Sequence, residues 1–372
     1  MATAVRDFPT DALVEILLRL PPSSLRRSRL VCRLWRDAID ERTTEMRSRA
    51  KALLWNPSSS VAYVVDDLSS SSSTGTCREL WRRDGGNIGD YVQLVGTSNG
   101  LLCLCNDNEI GGAITLVNPA TGEALPLPPL PCASRLILLH HRKMWHAAYS
   151  FAYHPTSGRY KLVHVPCIVG RSCEFRGVRV LTLGEVAWRE VPVGHEGGAR
   201  CNLGAGVVSI DGTTHWVTDG AAPRIVSFDL DDERITSVTA LPGRPAGPDL
   251  YNLTEVHGRL GIVIHGLPTD VWVMEEGRRW CRRYSVNKGH YLSRMHLAYG
   301  EYVLTVDRSN ELVYRHHRRK GSLLPGDVVR VNQRDEGTLV ANVKIGYSSY
   351  SSRNTAFTYV ETTEPLSVYM AS

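Results

Sequence analysis

The chain has 372 residues, room for one to three domains, with 42% apolar and 22% charged residues and a formal net charge of +5, the usage of an ordinary globular protein. No run of eighteen apolar residues occurs, and Met1–Arg6 carries no signal-like apolar stretch. Together these argue against a membrane helix and point to an intracellular protein of the cytoplasm and/or nucleus. The 9 Cys are odd in number and form no zinc-like CxxC pair, so buried reduced thiols fit better than a disulfide framework.

The first fifty residues read as helix. Between Pro9 and Leu20 the apolar positions Ala12, Leu13, Ile16, Leu17 and Leu20 fall on one helical face. Thr10 suits the N-cap, Asp11 the first turn, and Pro21-Pro22 the stop. Ser23 can cap a short second helix, Ser24–Arg27. A third pattern follows with Leu30, Val31, Leu34, Trp35, Ala38 and Ile39. Three short helices cannot bury much surface alone, and no metal or disulfide staples them. The leftover apolar surface predicts a protein partner. Residues 1–51 hold eleven Lys/Arg and seven acids, a +4 head on a nearly neutral body, which suits an acidic partner. Nucleic acid is a weaker reading, because stacking aromatics are not interleaved with the basic residues.

Residues 52–90 read as a linker, with Ser58–Ser60, Ser69–Ser73 and Asp84-Gly85-Gly86, and one possible strand, Val61–Val65. After Tyr91 short apolar runs alternate with turns. The runs include Ala113–Val117, Ser150–Tyr153, Tyr160–Val165, Val178–Leu183, Gly206–Ile210, Arg224–Leu230, Leu260–His265, Val271–Met274 and Tyr302–Val306. The turns include Asn118–Gly122, His154–Gly158, Asp229–Glu233 and Glu275–Gly277. This spacing predicts an all-β sandwich, barrel or propeller, with the propeller preferred and room for about six blades at about 45 residues each.

Catalytic signals are poor. Gly204-Ala-Gly206 lacks the third glycine of a phosphate cradle, no Gly-x-Ser-x-Gly elbow occurs, and the 13 His never take metal-ligand spacing. No cofactor is expected. Trp81, Trp145 and His140-His141 fall in expected loops, where packing or solvated surface explains them better than a ligand site. Trp188, Trp216 and Trp272 read as strand-core aromatics. Arg315–Lys320 has the composition of a nuclear-import signal, although a solvated strand edge explains it better. Asn252-Leu-Thr254 fits a glycosylation sequon of little weight without a secretory signal.

Two stretches resemble a known family. Asp7-Phe8-Pro9-Thr10-Asp11 with Glu15–Pro21 resembles the opening of the F-box, and Ser24–Arg36 resembles its second half. Phe8 stands where a leucine is usual, and Asp40-Glu41-Arg42 stands where the family has D-P-x-F. Ser98–Leu104, Asn118–Gly122 with Leu125-Pro126, Phe151–Val163, Trp188-Arg189, Asp211-Gly212 with His215-Trp216, Phe228–Leu230 and Val271–Met274 resemble the plant F-box-associated domain.

The resemblance implies a multidomain α+β chain. A three-helix F-box would span 1–51, a linker 52–90, and an all-β, propeller-like recognition domain 91–372. It implies the substrate-recognition subunit of an SCF-type ubiquitin ligase, non-catalytic itself. The head would dock on a Skp-type adaptor and through it on a cullin–RING core, while the β domain binds an unidentified protein substrate. The adaptor-facing residues carried over by position are Phe8, Pro9, Ile16, Leu17, Leu20, Leu25, Val31, Cys32 and Trp35, with Leu17, Leu30 and Leu34 open to a core role instead. The alternative is a propeller-like module that binds protein or glycan outside any ligase.

Overall fold

The computed structural model describes residues 10–17, 51–66, 77–83, 92–131, 144–154, 157–169, 173–193, 200–243, 251–275, 278–286 and 355–370, with residue 68 and further single residues or strands within 28–35 and 291–342. Of the expected helical head, α1 (Thr10–Leu17) is present. Leu34 and Trp35 also have helical backbone, and the expected second helix at Ser24–Arg27 lies outside the described residues.

The remainder is a β-propeller whose successive strands fold back on one another. β1 (Lys51–Asn56), β2 (Val61–Val65) and β3 (Cys77–Arg82) form an antiparallel meander. β4 (Val92–Ser98), β5 (Leu101–Asn106), β6 (Ala113–Val117) and β7 (Ala124–Pro126) form the next. In the third, β8 (Tyr149–His154), β9 (Arg159–His164), β12 (Val178–Thr182) and β13 (Arg189–Val191) pair in that order. A side hairpin of β10 (Cys167–Val169) and β11 (Cys173–Phe175) projects between β9 and β12. β14 (Val207–Ile210), β15 (Thr213–Val217), β16 (Arg224–Asp229) and β17 (Arg234–Ala240) make the fourth, and β18 (Tyr251–Val256), β19 (Arg259–Ile264), β20 (Thr269–Glu275) and β21 (Arg279–Val286) the fifth.

A less regular stretch follows: β22 (Tyr291–Leu292), β23 (Arg294–His296), β24 (Ala298–Tyr299), β25 (Tyr302–Val306), β26 (Leu312–His317), β27 (Val329–Val331) and β28 (Thr338–Asn342). β25, β26 and β28 form a further antiparallel sheet with β22 and β24. Its Leu304 and Val313 pack on the first blade, and Val303 packs on the fifth. The last strand, β29 (Thr355–Tyr359), pairs with β1 and gives the first blade its fourth, innermost strand. β23 bonds in parallel to both β18 and β29 and so bridges the fifth and first blades. Five four-stranded blades therefore stand where about six were expected, and the 291–342 sheet packs between the fifth and the first.

The segment expected as a linker at 52–90 carries β1, β2 and β3. Ala52–Trp55 is apolar at every position because β1 lies between two strands with both faces covered. Trp81, expected in a loop, stands in β3 and stacks on Trp55 at 6.3 Å between ring centroids. Trp145, also expected in a loop, is fully buried in a 3-10 turn, edge-on to Phe175. One apolar core runs through blades two to four and includes Trp145, Trp216, Phe228 and, from the far end of the chain, Leu366. Each such side chain contributes roughly 1.5–3 kcal/mol by leaving water. Asn252 is buried, which removes the sequon from use. Within the basic run, Arg315 and His316 are buried in β26, with the Arg315 guanidinium over the Tyr302 ring.

Strand direction sorts the connections onto two ends. Thr97 Oγ1 donates to the Thr358 carbonyl at 2.6 Å, near the finish of both β4 and β29. The hairpins after β4, β6, β8, β12, β14 and β16 thus share one end, and Lys51, opposite Tyr359, enters there too. The connecting residues 107–112, 165–169, 173–177 and 200–206 lie at the other end.

Candidate functional site

Two surfaces bear on function: the helical head and the ends of the propeller. In α1, Leu13 and Leu17 are one turn apart and both turn inward, each 3% exposed, whereas Ile16 is 46% exposed. Val31 and Leu34 are 64% and 51% exposed, Cys32 is exposed, and Trp35 is half-buried. Of the nine expected adaptor-facing residues, Ile16, Val31 and Cys32 lie open on the free chain, with Trp35 partly so. Leu17 does not, because its helical face is shared with Leu13. Phe8, Pro9, Leu20 and Leu25 lie outside the described residues. Leu34, which the pattern left between core and surface, is on the surface.

At the end where the head joins, the chain's own C-terminus crosses the blades as a strap, residues 360–370. The Asn118 side-chain amide donates to the Glu364 carbonyl at 2.8 Å, and the Leu366 N–H donates to Glu123 Oε2 at 2.9 Å. The Tyr160 hydroxyl donates to Glu364 Oε2 at 3.1 Å and accepts from the Asn99 amide at 3.0 Å. The Tyr369 hydroxyl donates to the other Glu364 oxygen, and its ring stands edge-on to Tyr160. Gly100 lies against this strap at φ +84°, where an added Cβ would stand 2.3 Å from the Val360 carbonyl oxygen. The strap therefore occupies this end between blades two and three.

The opposite end carries the longer connections. There Asp107 accepts from the His146 N–H at 2.9 Å and meets His146 Nδ1 at 2.5 Å, tying the 107–112 turn to the 3-10 turn after blade two. Thirty-nine residues separate the pair, and no local pattern announces it. The thiols of Cys103, Cys105 and Cys201 sit in the core, where burial pushes their ionisation far up and quenches nucleophilicity. Burial holds His164 neutral, its pKa lowered to about 3, and His215 at about 4. Among the described residues no group of three His, Cys, Asp or Glu is placed to hold a metal ion, and no helix is long and apolar enough to cross a membrane. The arrangement is a scaffold that presents loops, with the ionisable groups Asp107, Lys161 and Glu233 paired and His164 and His215 held neutral by burial.

The chain matches two family models, one described as "F-box domain" over residues 6–44 and one as "F-box associated beta propeller domain" over residues 49–321. F-box protein At3g07870 of Arabidopsis thaliana is 26% identical over 328 residues, covering 78% of this chain and 74% of that protein. F-box/kelch-repeat protein At3g23880 of the same plant is 26% identical over 289 residues, covering 73% of this chain and 76% of that protein.

Proposed function

The chain belongs to the plant F-box proteins that carry an F-box-associated β-propeller domain, and from that premise we propose that it is the substrate-recognition subunit of an SCF-type ubiquitin ligase. The head binds a Skp-type adaptor, which links it to a cullin–RING core. The propeller binds the protein to be ubiquitylated, and the chain itself is non-catalytic, acting in the cytoplasm and/or nucleus. The observation that carries this reading is the apolar surface of Ile16, Val31 and Leu34 within the segment that matches the F-box. Free solvent is a poor partner for three large apolar groups so close in sequence, whereas a groove on another protein removes them from water.

Substrate recognition fits the end opposite the strap. The C-terminal strap crosses the near end, where Lys51 also enters, so the connections at 107–112, 165–169, 173–177 and 200–206 on the far end suit a partner. The test is co-expression of the full chain with a Skp-type adaptor and a cullin. Recovery of all three in one complex supports the reading. Recovery of the adaptor without cullin favours a module acting outside a ligase, and failure to recover the adaptor overturns the assignment.

A further inference from the structure

The cationic side chains of this chain are overwhelmingly arginine. It has six lysines (Lys51, Lys143, Lys161, Lys288, Lys320 and Lys344) against thirty-seven arginines, and no lysine precedes residue 51. Two of the six fall among the described residues, and both are engaged. Lys161 Nζ donates to Glu233 Oε1 at 2.8 Å and to the Leu230 carbonyl, with its side chain 10% exposed. Lys51 Nζ lies 2.5 Å from Asp66 Oδ1, and Arg78 holds the other Asp66 oxygen at 2.8 Å. The other four lie outside the described residues.

Ion pairing does not account for this choice. Arg176 reaches Glu174 at 3.5 Å with its side chain 85% exposed, and Arg234 reaches Asp232 at 2.8 Å with its side chain 70% exposed. Pairs this exposed contribute little to stability, and a lysine would serve them as well. What arginine withholds is a nucleophile. Its guanidinium stays protonated, whereas a lysine amine can shed its proton and is the group that accepts ubiquitin.

We propose that this chain is built as a poor ubiquitin acceptor, so that the ligase it serves modifies the bound substrate and spares its receptor. The proposal rests on the receptor reading above. In the transfer step a deprotonated lysine amine attacks the thioester carbonyl that joins ubiquitin to the conjugating enzyme's cysteine. The C–N bond forms, the C–S bond breaks, the thiolate leaves and the amine's proton passes to solvent, with no change of oxidation state. An arginine surface offers no such amine. Lys161 is sealed between β9 and the β16–β17 turn, and Lys51 must first part from Asp66.

The experiment uses the full chain with a lysine-bearing reporter peptide fused at its C-terminus, assembled with Skp-type adaptor, cullin, RING protein, charged conjugating enzyme and ubiquitin. It compares the wild type with a variant carrying Arg176→Lys, Arg224→Lys, Arg234→Lys and Arg279→Lys, all exposed positions. The expected result is rapid modification of the reporter in both proteins. Modification of the chain's own body should be at least about fivefold faster in the variant, at the introduced lysines. The wild-type ratio of body to reporter modification decides the matter even if the variant folds poorly. A wild-type body modified as fast as the reporter overturns the proposal, as does a folded variant that gains nothing. An unmodified reporter in both proteins, with the adaptor bound, overturns the receptor reading itself and this inference with it.

Discussion

Lys51 and Tyr359 stand opposite each other in antiparallel register, the first residue of β1 against the last of β29, although they lie 308 positions apart in the chain. That pairing makes the blade next to the head depend on the final residues of the protein. Phe357 and Tyr359 are buried in the core between the first and second blades.

Phe357→Ala should therefore destabilise the whole propeller by about 3–5 kcal/mol, because it removes a fully buried ring from a core that cannot collapse around the gap. Denaturant unfolding followed by tryptophan fluorescence reads this directly. A loss below about 1 kcal/mol would mean that β29 is not an integral strand.

Glu233 joins two blades: it accepts from Lys161 at 2.8 Å and from Arg189 Nη2 at 2.9 Å. Its pKa lies below the ordinary carboxylate value: burial pushes upward, and the bonds from Arg189 and Lys161 outweigh it. A carboxylate lowered on folding contributes stability above its unfolded pKa and loses it as pH falls through the lower folded value. Glu233→Gln should cost about 1–3 kcal/mol at neutral pH, since it leaves Lys161 poorly paired in the interior. The gap between wild type and variant should close as pH falls below about 4.5. A gap that widens in acid would contradict the assignment.

His164 is fully buried, with Tyr149 and Phe175 against its ring at 4.9 and 4.4 Å between centroids and its pKa lowered to about 3 by burial, with Arg179 adding to the effect. Its unfolded value is near 6.5, so between these pH values the unfolded chain binds the extra proton. Stability should therefore fall as pH drops from about 6.5, at up to about 1.4 kcal/mol per pH unit for this group. His164→Phe keeps the ring contacts and should flatten that part of the profile. An unchanged pH profile in the variant would rule out His164 as its source.

Ile16→Asp with Val31→Asp should weaken adaptor binding by at least roughly a hundredfold, on the scale of losing interface anchors. Both residues are exposed on the free chain, so the unfolding midpoint of the propeller should stay within a degree or two of wild type. Titration calorimetry against the purified adaptor measures the first quantity and differential scanning calorimetry the second. Wild-type affinity in the variant would remove these residues from the interface.

Local pattern carried much of this protein. The i, i+4 spacing of Leu13 and Leu17 announces an amphipathic helix, and Ala113–Val117 and Tyr302–Val306 match β6 and β25 residue for residue. Such features depend on neighbours a few positions away, so the chain order states them outright. Misreadings arose where burial came from distant partners. Trp81 looked like a loop residue because nothing beside it in sequence shows that β3 pairs with β2 and sets its ring on Trp55. Ala52–Trp55 lacked the alternation of an exposed strand because both faces of β1 are buried, Leu53 and Trp55 in one core and Ala52 and Leu54 in another.

What chain order settled is the division between a helical head and a β body, and the apolar excess of that head. Which head residues turn outward, Ile16 and not Leu17, required the fold. So did the closure of Lys51 on Tyr359, the Glu364–Tyr160 tie and the Asp107–His146 pair. Each joins groups whose meeting depends on the path of the intervening chain, and short-range propensity holds no record of that path.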